Sequence, residues 1–147
     1  MAKSAKSIIA ALEAFVAKDD CEDEWVLNDI LKGFGKIANR ERILPAIFAV
    51  MERYPEADLG TPGPLVHSIE EFPISLFEPF LRASVQKQPG QLNVWMVNRI
   101  LNTKLSSQHR AELLKLLNEV KSNPRASAGM KEIVRGFIKH QQEQREK

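Results

Sequence analysis

PAIFAVMERYP (residues 45–55) and PFLRASVQKQP (residues 79–89) are two copies of one arrangement set 34 positions apart. In each copy a proline opens an apolar helical pattern and a second proline closes it. The ring chemistry fits both places. A proline is tolerated in the first turn of a helix, where its missing N–H would have no partner, and it cannot continue a helix at the far end. An interval of about 34 residues is the length of one helix–turn–helix unit in a solenoid. The spacing therefore predicts an all-α chain of stacked helical hairpins, an architecture that holds partners more often than it runs chemistry.

Working outward, apolar periodicity predicts eight helices: residues 4–18, 23–38, 40–54, 64–72, 74–88, 92–102, 107–121 and 127–141. Ser4 is placed to cap the first. The run GTPGP before the fourth is a string of turn formers. No stretch alternates with period two, so no sheet is expected. Paired in order, the helices form four antiparallel hairpins beginning near residues 4, 40, 75 and 107, at intervals of 36, 35 and 32. The expectation is a right-handed stack in a single domain spanning 1–147, with residues 142–147 as a frayed polar tail. An irregular helical bundle is the alternative.

The chain has 147 residues and one cysteine, Cys21, so it has no intramolecular disulfide or cysteine-rich zinc site and suits a reducing compartment. The opening segment loosely resembles a signal peptide. Glu13 interrupts its apolar run, however, and Ile8, Ile9, Leu12, Phe15 and Val16 follow helical spacing, which predicts a folded helix. No stretch approaches the roughly 20 apolar residues of a membrane span. The expected location is the cytoplasm, with no membrane partner.

Chemical motifs are sparse. His67, His109 and His140 have no second ligand at metal spacing, and Gly33-Phe34-Gly35 lacks the further glycine and the preceding strand of a phosphate loop. His67, Glu70 and Glu71 share a helix face, and a His–Glu pair can transfer protons. With no nucleophile or metal set beside them, they read first as a solvated face. The chain is expected to be a non-enzyme without cofactor, metal or small-molecule substrate.

Two tryptophans stand off the apolar arcs of their helices. Trp95 falls beside Asn98, Arg99 and Asn102, and Trp25 falls beside Asp29, Lys32 and Lys36. Both belong to the second helix of a hairpin. Trp, Arg and Asn on a groove are typical binding anchors. Packing against the adjacent hairpin is the other reading for both tryptophans.

Charge is split along the chain. Residues 1–80 hold 14 acidic and 8 basic side chains, a balance of −6; residues 81–147 hold 5 and 13, a balance of +8. Asp19, Asp20, Glu22, Asp23 and Glu24 crowd the first turn, and Asp23 and Glu24 also suit the positive end of the second helix. With Glu56, Asp58, Glu70 and Glu71 they make the early half a candidate dock for a basic partner. The basic late half invites a nucleic-acid reading, but Glu112, Glu119 and Glu132 interrupt its faces, so nucleic acid is not the expected partner.

The segments TPGPLVHSIEEF (61–72) and NVWMVNRILN (93–102) resemble small all-helical, HEAT-like immunity proteins encoded beside bacterial polymorphic toxins. The similarity covers most of the chain, best over 40–140. It implies a HEAT-like α-solenoid and a cytoplasmic antidote that binds the toxic C-terminal domain of an Rhs or contact-dependent inhibition effector. The positions carried over are Gly63, Pro64, His67 and Glu70 in the first motif and Trp95, Asn98 and Arg99 in the second. A HEAT-like protein acting on nucleic acid and a plain scaffold adaptor are the competing expectations.

Overall fold

A computed structural model describes residues 3–145. Eight α-helices follow one another: α1 (Ala5–Ala14), α2 (Glu22–Leu31), α3 (Leu44–Arg53), α4 (Gly63–Glu70), α5 (Ile74–Lys87), α6 (Gln91–Leu101), α7 (Ser107–Val120) and α8 (Ala128–Arg145). Short 3-10 turns at Phe34–Lys36 and Arg40–Ile43 join α2 to α3. There is no strand among the described residues.

The helices pair as four hairpins, α1 with α2, α3 with α4, α5 with α6 and α7 with α8. First helices stack in one layer, α1 on α3, α3 on α5 and α5 on α7. Second helices form the other layer, in which α2 packs on α4 and α6 on α8. This is the expected stack. The core runs between the layers through Leu12, Leu27, Ile47, Leu65, Leu81 and Val97, all fully buried. Each such side chain contributes about 1.5–3 kcal/mol through its removal from water.

Both proline-closed segments form the first helix of a hairpin, α3 and α5. Pro45 lies in the first turn of α3, as expected. Pro79 does not open its helix; it lies inside α5. The repeat explains the difference. Arg40–Ile43 and Ile74–Phe77 are the same turn 34 residues apart, 3-10 before α3 and α-helical in α5. Pro79 removes the N–H that would reach Ser75, and both residues are exposed, so that carbonyl is left to solvent.

Three helix ends differ from the periodicity. α1 stops at Ala14 because Phe15 turns extended and buries its ring edge-on against Tyr54, centroids 6.0 Å apart. α2 stops at Leu31 because Gly33 takes a left-handed φ of 80°, which a glycine adopts without steric penalty, and sends Phe34 into the core against Phe72. α8 continues through Arg145, so residues 142–145 of the expected frayed tail are helical, while 146 and 147 lie outside the described residues. Ser4 caps α1 as expected, its hydroxyl accepting from the Ser7 N–H at 3.1 Å.

Candidate protein-binding face

The layer of second helices brings the candidate residues of α2, α4 and α6 onto one side of the molecule. Between α2 and α4 lies a groove of about 500 Å³ whose lining includes Glu24, Trp25, Asn28, Thr61, Pro62 and His67. Trp25 is 75% exposed, so the adjacent-hairpin alternative is excluded for this residue. The Glu24 carboxylate lies against Gly60, and no cation among the described residues stands within ion-pair distance of it. The far wall is the turn with the cis Thr61–Pro62 bond that leads into α4.

One turn along α4 from His67 is Glu70. The Arg99 guanidinium of α6 binds it with both arms, from Nε and Nη2, each at 2.8 Å. The same guanidinium sits over the Trp95 ring, 4.9 Å from the centroid. Hydrogen bonding to Glu70 outweighs the cost of burial and raises the Arg99 pKa above its ordinary value. A cleft of about 430 Å³, lined in part by Glu70, Phe77, Arg99 and Thr103, opens beside this pair. Trp95 is half-buried and packed against the core, so the adjacent-hairpin reading describes it in part.

Three expected contact residues are placed otherwise. Asn98 is only 7% exposed. Its Oδ1 accepts from Gln141 Nε2 at 2.8 Å, and the same amide reaches Asn102 Oδ1 at 2.8 Å. Arg110 completes the cluster, donating to Gln141 Oε1 at 3.2 Å and to the Leu101 carbonyl at 2.9 Å. Asn98 thus joins α6 to α8 and is not a surface anchor; Asn102 is exposed but shares that clamp. Asp23 is 2% exposed, its carboxylate accepting from the Lys18 and Asp19 N–H groups at 2.8–3.1 Å. It folds the first inter-helix turn onto α2 and leaves the acidic surface.

The other acidic candidates are dispersed. Asp19, Asp20 and Glu22 remain exposed at the first turn, where Asp20 Oδ1 caps the Glu22 N–H at 2.9 Å. The Glu71 carboxylate lies beside Gly35. Glu56 accepts from the Ser127 hydroxyl at the start of α8, and Asp58 accepts from the Gly60 N–H at 3.2 Å.

Two polar clusters escaped the sequence reading. Asn93, fully buried, accepts from Gly90 N–H at 2.8 Å and donates to Ser84 Oγ and the Gln88 carbonyl, both at 3.0 Å. Its position three residues after a turn glycine was the available signal. Glu78 binds Arg82 at 2.7 Å and His109 Nε2 at 2.5 Å, and Arg82 continues to Glu112 at 3.1 Å, tying α5 to α7. The i,i+4 spacing of Glu78 and Arg82 signalled half of this cluster. Burial works against the Arg82 charge, but bonds to Glu112 and Glu78 outweigh it and raise its pKa. The bond from Arg82, acting against a smaller desolvation effect, lowers the Glu112 pKa.

The charge split becomes a polarity along the stack, with the first two hairpins acidic and the last two basic. Several arginines of the basic half are engaged within the fold: Arg82, Arg99 and Arg110 as above, and Arg125 with the Lys87 carbonyl at 3.0 Å. No protein family, curated protein or solved structure matches this chain. Among the described residues no helix is long and apolar enough to cross a membrane, and no group of His, Cys, Asp or Glu could hold a metal ion.

Proposed function

We propose that this chain is a binding protein whose layer of second helices docks onto a protein partner, and that the partner is the toxic domain of a bacterial effector which it neutralises by occlusion. The observation that carries the reading is Trp25, 75% exposed on the rim of the α2–α4 groove. A single exposed apolar residue is ordinary on a protein surface. This one borders a concave, partly polar groove beside an unpaired carboxylate, the setting in which tryptophan acts as a binding anchor. The resemblance of residues 61–72 and 93–102 to toxin-associated immunity proteins supplies the identity of the partner.

A stack of hairpins suits occlusion. The groove is formed by helices already fixed to their neighbours, so little ordering entropy is lost on docking. The exposed carboxylates of Asp19, Asp20, Glu22 and Glu24 would accelerate encounter with a basic toxin surface. The test is co-expression with the product of the reading frame immediately upstream of this gene, which the reading expects to be a toxin. Growth should be rescued by the wild-type chain, and the two proteins should copurify. Absence of both rescue and copurification overturns the reading. Strong retention of the chain on heparin at physiological salt would instead favour nucleic acid as the partner.

A further inference from the structure

We infer that the α2–α4 groove is a receptor for an arginine side chain of the protein partner, with the guanidinium laid on the Trp25 ring and paired to Glu24. This deepens the proposed function and rests on it for the identity of the partner.

The molecule contains a related cluster that is filled, with its carboxylate supplied by a second helix, whereas Glu24 and Trp25 are consecutive on α2 and line one groove. On α6, Trp95 is followed four residues later by Arg99, whose guanidinium covers the ring at 4.9 Å and binds Glu70 of α4 at 2.8 Å. A planar cation stacked on an indole and held by a carboxylate satisfies all three groups. On α2, the residue four positions after Trp25 is Asp29, and Lys32 and Lys36, its expected neighbours on a longer helix, lie past the end of α2 at Leu31. No described cation lies over the Trp25 ring, although Arg99 covers Trp95. Glu24 lines the same groove unpaired, and Asn28 adds an amide. Two of the three parts are present, and the missing part is a cation.

Charge complementarity selects the occupant. The groove lies in the acidic half of the chain, near the exposed Asp19, Asp20 and Glu22. Arginine is favoured over lysine because a planar guanidinium can stack on the indole and present a fork to Glu24 simultaneously, whereas an ammonium is a point charge with a stronger hydration shell. The groove, at about 500 Å³, exceeds the volume of one side chain and leaves room for the flanking backbone.

The experiment titrates the full chain with acetyl-hexaarginine amide and, separately, acetyl-hexalysine amide at physiological salt. Affinity is read by calorimetry, and Trp25 fluorescence is read in a W95F background. The arginine peptide should shift Trp25 emission and bind more tightly than the lysine peptide. W25A and E24Q should each weaken the arginine peptide about tenfold, with helical circular dichroism unchanged. Equal affinity for both peptides, or arginine binding unaffected by both variants, overturns the inference. If toxin rescue persists in W25A and E24Q while the peptides fail, the groove assignment falls and the binding function stands. If the peptides behave as expected and no toxin is neutralised, the groove stands and the identity of the partner falls.

Discussion

Gly90 lies directly against Pro55: a β-carbon on Gly90 would stand 2.8 Å from the Pro55 Cα. The next residue, Gln91, donates its N–H to the Pro55 carbonyl at 2.7 Å. The proline that closes α3 is thereby seated on the turn that follows the proline closing α5. The 34-residue interval is thus the stacking period of two hairpins that meet at equivalent ends.

This contact leaves no room for a side chain. Gly90→Ala should destabilise the fold by about 1–3 kcal/mol, a steric cost and not a conformational one, because the Gly90 φ of −149° is open to any residue. Urea unfolding measures it. An unchanged midpoint with an unchanged slope would show that the two turns can part freely.

Gln141 is 2% exposed and supplies both bonds that hold Asn98 and Asn102. Gln141→Ala should cost about 1–3 kcal/mol, because the Asn98 oxygen is left buried without a donor. Truncation after residue 140 should cost at least as much. A truncated chain as stable as the full one would restore the reading of this end as a loose tail.

The two tryptophans should separate binding from stability. Trp25→Ala should leave stability within about 0.5 kcal/mol, since the side chain is largely in water. It should weaken capture of the proposed toxin partner by about 2 kcal/mol or more. Trp95→Ala should lower the unfolding midpoint, because that ring packs on the core and carries the Arg99 guanidinium. Thermal unfolding beside a binding titration distinguishes them, and the opposite pattern would reverse the assignment of anchor and packing residue.

The ion pair between Arg82 and Glu112 predicts an acid-side pH dependence. The Glu112 pKa is depressed in the folded protein by the Arg82 bond. Its contribution is therefore fully present above the unfolded carboxylate value and disappears as pH falls through the folded one. Glu112→Gln should be slightly less stable than wild type near neutrality and should lose correspondingly less stability between about pH 5 and about pH 3, so that the two curves converge in acid. Parallel acid-loss curves for variant and wild type would show that the pair does not contribute.

Much of the architecture was legible because it is local. Helix existence follows from the 3.6-residue recurrence of apolar side chains, and the hairpins follow from polar connections and the proline period. Helix ends were less legible. Phe15 and Phe34 leave the helical path to bury their rings against Tyr54 and Phe72, partners more than 35 residues away. Pro79 shows the same limit: the sequence marks a proline, while the conformation of the preceding turn, 3-10 or α-helical, decides whether it begins the helix or lies within it.

By itself the sequence determined the number of helices, their pairing and the opposed charge of the two halves, all set by composition and short-range periodicity. Only tertiary structure decided that Trp25 stands in solvent while Trp95 is packed, and that Asp23, Asn98 and Gln141 are interior. A helical wheel assigns one buried direction, but a helix in a stack has its hairpin partner and neighbours on either side. Each polar residue's exposure therefore depends on which of those neighbours reaches it.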